Sequence, residues 1–176
     1  MLIDEESGST AMGVVLMDVG RLRIALPVMS VREVLPLPAL SPFAGMPPLI
    51  AGTFSLGGDA VLVLRLDRLL DIPEIEPGAY AKIVLLKSRG QLALLATEVR
   101  DIRIVDGTMV SPVRAVESFN GCTIAEIALP DGPVALLSPQ RLLAERERRT
   151  LGDFEAMAKR RLEALAMPAE SGIPAS

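Results

Sequence analysis

The side chains that most often carry catalysis are scarce in this sequence. It contains no histidine and a single cysteine, Cys122. Triads with a histidine base are therefore excluded, as are metal sites that need imidazole, and one thiol cannot assemble a thiolate zinc centre. Acid–base work by carboxylates stays open. Asp18 and Asp59 sit beside turns, where an isolated acid is usually solvated rather than paired for hydrolysis. Gly57-Gly58 lacks the Lys-Ser/Thr of a phosphate loop and has no βαβ unit around it. Cys122, with apolar Ile124 nearby, reads as a buried structural thiol. Arg146, Arg148 and Arg149 alternate with Glu145 and Glu147, as on a solvated helix face rather than an RNA contact.

With chemistry thinly represented, composition points to a packed binding module. Half of the 176 residues are hydrophobic, enough for a sizeable core. The aromatics are only Phe43, Phe54, Tyr80, Phe119 and Phe154, so core and contact surface alike must be aliphatic. A formal charge of −4 offers no basic face for nucleic acid. The polar, acidic start has neither the basic region nor the apolar region of a signal peptide. No apolar run approaches the roughly 18 residues of a membrane span. A lone cysteine suits a reducing compartment, and a cytoplasmic location is expected.

The elements that must position any binding residues read as short strands. Residues 14–19 and 22–27 flank Gly20-Arg21 as a hairpin, with Leu22, Ile24 and Leu26 on one face and Arg23 and Ala25 on the other. A strand is expected within 30–35, followed by a loop punctuated by Pro36, Pro38, Pro42, Pro47 and Pro48. Residues 49–56 and 60–66 flank a Gly57-Gly58-Asp59 turn, 67–70 form a helical turn, and 71–79 is the best linker. The pattern then restarts with 82–87 and 91–96 around Ser88-Arg89-Gly90, then 101–105, a polar connector over 106–120, and 123–129 and 134–137 around Pro130-Asp131-Gly132-Pro133. That makes ten short strands, five on each side of the linker, as in a sandwich or barrel.

The two sides repeat. Val61-Leu62-Val63-Leu64, followed by Arg68-Leu69-Leu70, aligns without gaps on Val134-Ala135-Leu136-Leu137, followed by Arg141-Leu142-Leu143. Gly20-Arg21-Leu22-Arg23-Ile24 matches Gly90-Gln91-Leu92-Ala93-Leu94, and Val31-Arg32-Glu33-Val34 matches Val99-Arg100-Asp101-Ile102. Three matched segments in one order indicate a duplication. Near the C-terminus the period changes. Leu151, Phe154, Ala158, Leu162 and Leu165 fall on one helix face, which is expected to pack on its own barrel. Glu155 and Lys159 make a favourable i, i+4 pair on that helix.

Three ordered segments carry a family resemblance. They are Pro27-Val28-Met29-Ser30-Val31-Arg32-Glu33-Val34-Leu35, then Gly45-Met46-Pro47-Pro48 with Ile50-Ala51-Gly52-Thr53-Phe54-Ser55-Leu56-Gly57-Gly58, then residues 61–70. A second-half segment, residues 94–102, adds to them. Over roughly residues 13–145 the chain resembles CheW, the bacterial adaptor that couples chemoreceptors to the histidine kinase CheA. The resemblance implies an all-β fold of two intertwined five-stranded SH3-like barrels with a C-terminal α-helix, and no catalysis and no cofactor. It divides the chain into a flexible tail (1–12), a CheW-like domain (13–145, with subdomains of about 13–78 and 79–145) and a C-terminal helix and tail (146–176). It implies two partners, the regulatory domain of a CheA-type kinase and the cytoplasmic hairpin tip of a chemoreceptor, with no nucleic acid and no membrane insertion. Carried over by motif position, the partner-binding residues are Val28, Val31, Glu33, Gly52, Leu56, Gly57 and Val99.

Two departures stand out. The family's Asn-Leu-Arg-Gly loop is Ser55-Leu56-Gly57-Gly58 here, so the arginine that pairs with the glutamate matched by Glu33 is lost at Gly57. Glu33 must then be solvated or find another partner. The family's Asp-Leu-Arg is Arg65-Leu66-Asp67, with the charges exchanged, and a reversed pair is expected there. Gly52→Asp is expected to weaken partner binding without unfolding the chain, and Glu33→Ala to leave stability unchanged if Glu33 is solvated. A small-ligand barrel would instead need an enclosed cavity with convergent polar groups. A carboxylate enzyme would need two acids facing each other in a cleft.

Overall fold

A computed structural model describes residues 10–88, 91–113 and 119–166, with side chains at part of the last helix. The elements run β1 (Met12–Val19), β2 (Leu22–Pro27), a 3-10 turn (Val28–Ser30), β3 (Val31–Pro36), β4 (Ile50–Leu56), β5 (Asp59–Arg65), α1 (Leu66–Leu69), β6 (Lys82–Leu86), β7 (Leu92–Ala96), β8 (Glu98–Val105), β9 (Val110–Pro112), β10 (Thr123–Leu129), β11 (Gly132–Leu137) and α2 (Pro139–Ala166). The ten expected strands are all present. The eleventh, β9, lies in the polar connector, where three residues pair with β10. So short a strand leaves no readable period in sequence.

The strands form two sheets, ordered β8-β1-β2-β11-β10-β9 and β3-β6-β7-β5-β4. Each sheet joins a hairpin from one half of the chain to strands from the other. The β1–β2 hairpin sits between β8 and β11, and the β6–β7 hairpin sits between β3 and β5. In both, the joint to the other hairpin is parallel, β2 to β11 and β7 to β5, while all other pairs are antiparallel. This exchange is the intertwining. The boundary near residue 78 separates the sequence halves, while each sheet draws on both.

The duplication extends to the irregularities. A bulge shifts β4 between Ile50 and Gly52, which face Leu64 and Val63. The gapless alignment carries these four residues onto Thr123, Ala125, Leu137 and Leu136, where β10 has the same bulge. On β3 a bulge falls between Val31 and Glu33. On β8 the pairing skips Arg100, so Val99 and Asp101 flank the matching irregularity. Bulges set twist and aim side chains, so the repeat is one of geometry as well as composition.

Burial explains the apolar runs. One cluster fills the space between the sheets, including Val15, Met17, Ile24, Leu26, Leu64, Val84, Leu94 and Leu137. A second lies on the far side of the first sheet, with Val14, Leu16, Ala25, Ile127 and Val134. A third lies on the far side of the other, with Val61, Val63, Ile83, Leu85 and Ala93. Residues 14–17 alternate between two buried clusters, so this strand reads as a continuous hydrophobic run. Among the described residues, the side chains of the second and third clusters pack on the far side of each sheet.

Two connections differ from expectation. Residues 71–79 are strapped down rather than loose. Asp67 accepts hydrogen bonds from Arg65 (3.1 and 2.6 Å), from the Arg68 amide (3.0 Å) and from the Ile75 amide (2.9 Å). Arg65 also donates to the Ile75 carbonyl (3.1 Å), and Glu74 receives both Arg65 and Arg68. The other difference is the start of α2 at Pro139, ahead of residue 146. Ser138 caps it by accepting from the Arg141 amide (3.3 Å), proline takes the first helical position, and Leu142 anchors it in the central core. Within α2, Glu145 is buried and held by Arg148 and Arg149 (2.6 and 2.7 Å), so this stretch is not a wholly solvated face. The hydrogen bond from Arg148 leads in keeping its carboxyl below the usual range. The side chains of Leu151, Phe154, Glu155, Ala158, Lys159 and Leu162 lie outside those described, as do residues 1–9 and the Arg89-Gly90 turn, and Leu165 is exposed.

Candidate partner-binding surface

The two edge strands β3 and β8 occupy equivalent places in their sheets. Register fixes which face each residue presents. On β3, Val31 and Val34 lie opposite Leu86 and Val84, on the side of the central core. Glu33 and Leu35 lie opposite Leu85 and Ile83, on the other side. The bulge therefore sends Val31 and Glu33 to opposite faces, although residues two apart on a regular strand share one. The same holds on β8. Val99 lies opposite Met17 on the central side, and Asp101 opposite Leu16 on the other.

Beyond Val99, the central-side face of β8 continues with Ile102 and Ile104, opposite Val15 and Gly13. They are 64% and 80% exposed. Gly13 leaves room for Val28, whose side chain lies 3.5 Å from where a Cβ on Gly13 would stand. The 3-10 turn carrying Val28 thus seats on β1 next to Ile104, with Met29 80% exposed. Val28, Val31 and Val99 are half-buried against the central core. Together these residues form an aliphatic stripe along the seam between the sheets. Ile102, Ile104 and Met29 were not singled out from sequence. For the two isoleucines the available signal was an Ile-x-Ile spacing on the strand expected over residues 101–105.

Gly52, Leu56 and Gly57 are not part of this stripe. Gly52 and Leu56 belong to β4, at the edge of its sheet opposite β3, and Gly57 lies in the turn from β4 to β5. Gly52 is buried with φ of 149°, and a Cβ there would stand 2.8 Å from the Leu40 Cβ and 3.2 Å from the Ser41 carbonyl oxygen. Next to it, Thr53 and Ser41 exchange backbone hydrogen bonds of 2.8 and 3.0 Å, covering the β4 edge with the proline-rich loop. The expectation that Gly52→Asp spares the fold is therefore corrected, because the glycine seats a loop. Leu56 is half-buried against the third cluster. Gly57 and Gly58 are exposed, with φ of 59° and 92°. A two-residue hairpin turn with both φ positive favours Gly-Gly and strains arginine, so losing the family arginine goes with this turn.

The charges follow from that loss. Glu33 is exposed and makes no ion pair among the described residues. The exchanged pair Arg65–Asp67 is present. Burial alone would raise the Asp67 carboxyl; the hydrogen bonds from Arg65 and then the Ile75 amide more than offset it and hold it below its ordinary value. Arg65 thereby serves the strap. Cys122 is buried, and burial, followed by the nearby Glu145 charge, pushes its thiol up to about 11. A thiol so placed is almost wholly protonated at neutral pH and is a poor nucleophile. No cluster of three or more potential metal ligands occurs among the described residues.

The fold is that of a duplicated β protein with exchanged hairpins and an aliphatic seam between its sheets. The chain belongs to the family of CheW-like domains, whose model matches residues 13–147. Its fold is similar to that of the scaffolding protein TtCheW from Thermoanaerobacter tengcongensis, with a TM-score of 0.69 and 16% identity over 80% of this chain and 93% of that one. The comparison with curated proteins returned no match. Family and fold define an adaptor or scaffold of the chemotaxis type.

Proposed function

We propose that this chain is a non-catalytic cytoplasmic adaptor that couples the hairpin tip of a chemoreceptor to the regulatory domain of a CheA-type histidine kinase. One observation carries the reading: the aliphatic stripe of Val28, Met29, Val31, Val99, Ile102 and Ile104 along the seam of a CheW-like domain. Burying a branched side chain is worth roughly 1.5–3 kcal/mol, so a partner covering Ile102 and Ile104 gains measurable affinity. An apolar helical face is the partner chemistry that suits this aliphatic stripe. Such an adaptor acts by holding receptor and kinase together, which raises their effective concentration and biases the kinase between states.

The test is calorimetric titration of the purified chain with a kinase regulatory domain and with a receptor tip peptide. Micromolar, saturable binding of both is expected. Ile104→Glu should weaken the receptor titration by about tenfold or more, as a central contact does, and leave the kinase titration unchanged. A folded protein that binds neither partner overturns the reading.

A further inference from the structure

The outer edge of β8 points to a second use of that strand. No described residue pairs with it on the side away from β1. Of the two edges of the other sheet, β4 is bridged by Ser41–Thr53, and β3, also open, lacks the alternating acid and base that β8 carries at Asp101 and Arg103. An open strand edge is a template for another strand, and the residues here specify which. Around Ile102 the order is Asp101-Ile102-Arg103-Ile104. If two copies pair β8 with β8 antiparallel about a two-fold centred on Ile102, Asp101 of each copy faces Arg103 of the other. Opposite charges directly across a sheet attract, and like charges repel. Moving the centre to residue 101 sets Asp101 against itself, and moving it to 103 sets Arg103 against itself. Of these three registers the charge pattern favours the one centred on Ile102.

Side-chain direction agrees with this register. Asp101 and Arg103 lie on one face of β8, opposite Leu16 and Val14, and Ile102 and Ile104 on the other, opposite Val15 and Gly13. A two-fold perpendicular to the sheet keeps each set on its own face. The four isoleucines then line up on the seam side and the four charges on the far side. In the single chain Asp101 uses both oxygens locally, accepting from the Ile102 amide (2.8 Å) and from Arg103 (3.3 Å). Arg103 also lies 3.6 Å from Asp131. These exposed contacts can be exchanged for their counterparts across the two-fold at little cost.

We propose that the chain self-associates through β8 into a symmetric dimer whose two six-stranded sheets become continuous. The occupant of the edge is a second copy, argued from charge complementarity and independent of the kinase and receptor reading. A single strand pair buries little surface, so the dimer is weak and depends on concentration.

Analytical ultracentrifugation of the full chain over a concentration series tests this, with circular dichroism as the check on folding. The wild type should shift from monomer towards dimer as concentration rises. Asp101→Arg and Arg103→Asp, each alone, place like charges across the two-fold and should remain monomeric. An equal mixture of the two single variants restores both opposite-charge pairs and should associate as the wild type does. The double variant, with the charges exchanged, should do the same, which keeps the test valid if one single variant folds poorly. A wild type that stays monomeric at millimolar concentration overturns the proposal, as do single variants that associate like the wild type.

Discussion

Gly52 and Glu33 belong to neighbouring motifs, yet they play opposite parts. The glycine is buried at a bulge with a positive φ and a loop packed where its Cβ would be. Aspartate there adds backbone strain, overlap and a buried charge. Gly52→Asp should lower the unfolding free energy by about 3 kcal/mol or more. Glu33→Ala in the same urea titration should change it by less than about 0.5 kcal/mol, because the carboxylate is exposed and unpaired among the described residues. If the two variants lose similar stability, the assignment of Gly52 as a loop seat is wrong. The strap has its own critical residue in Asp67, whose side chain is only 5% exposed. Removing one partner of a buried pair costs about 3–5 kcal/mol, so Asp67→Ala should be among the most destabilising substitutions outside the apolar core.

At the scale of elements, the strap over residues 71–79 joins the two sheets. Its polar anchor is the Arg65–Asp67 pair at the end of β5. Its apolar contact is Ile75, which packs on the central core against Gly20 in the β1–β2 turn. Asp67 has a depressed carboxyl in the folded chain. The unfolded state therefore binds its proton first as pH falls, so its contribution is complete above about pH 4 and is lost below that. Stability measured by denaturant titration should fall between pH 4 and pH 2, and Asp67→Asn should flatten part of that fall. An unchanged slope in the variant would assign the acid sensitivity to other carboxylates. The helix boundary belongs to this scale as well. Ser138-Pro139 is a cap and first-position pair at the helix start, whereas the apolar period that sequence shows lies further on, at residues 151–165. The first buried helical anchor is Leu142.

For the whole molecule, the exchange of hairpins makes the halves interdependent. Separated near residue 78, the first half keeps β1–β2 without β8 and β11, and the second keeps β6–β7 without β3 and β5. Each hairpin also loses the central cluster, to which both halves contribute. Expressed alone, residues 1–78 and 79–176 should lack cooperative thermal transitions by circular dichroism, and mixing them should restore one. Independent folding of either half would show that the exchange does not hold the molecule together. Most of the strand inventory was legible beforehand, because strand ends carry Gly, Pro and Asp signals and the strands carry dense Leu, Val and Ile. The duplication was legible because the gapless match between residues 61–70 and 134–143 keeps both pattern and spacing. The family was legible from ordered motifs, whereas the faces their residues occupy were not. Period-two reasoning places Val31 and Glu33 together. A bulge is a matter of how one strand meets its neighbour, so only the tertiary pairing separates them. Likewise, no local pattern distinguishes a hairpin completed by its own half from one completed by the other half. Sequence alone determined the elements, their repeat and the absence of histidine chemistry. Tertiary structure decided which half completes each sheet, that Gly52 is interior, and that Ile102 and Ile104 stay uncovered on the seam, because each depends on contacts between residues far apart in the chain.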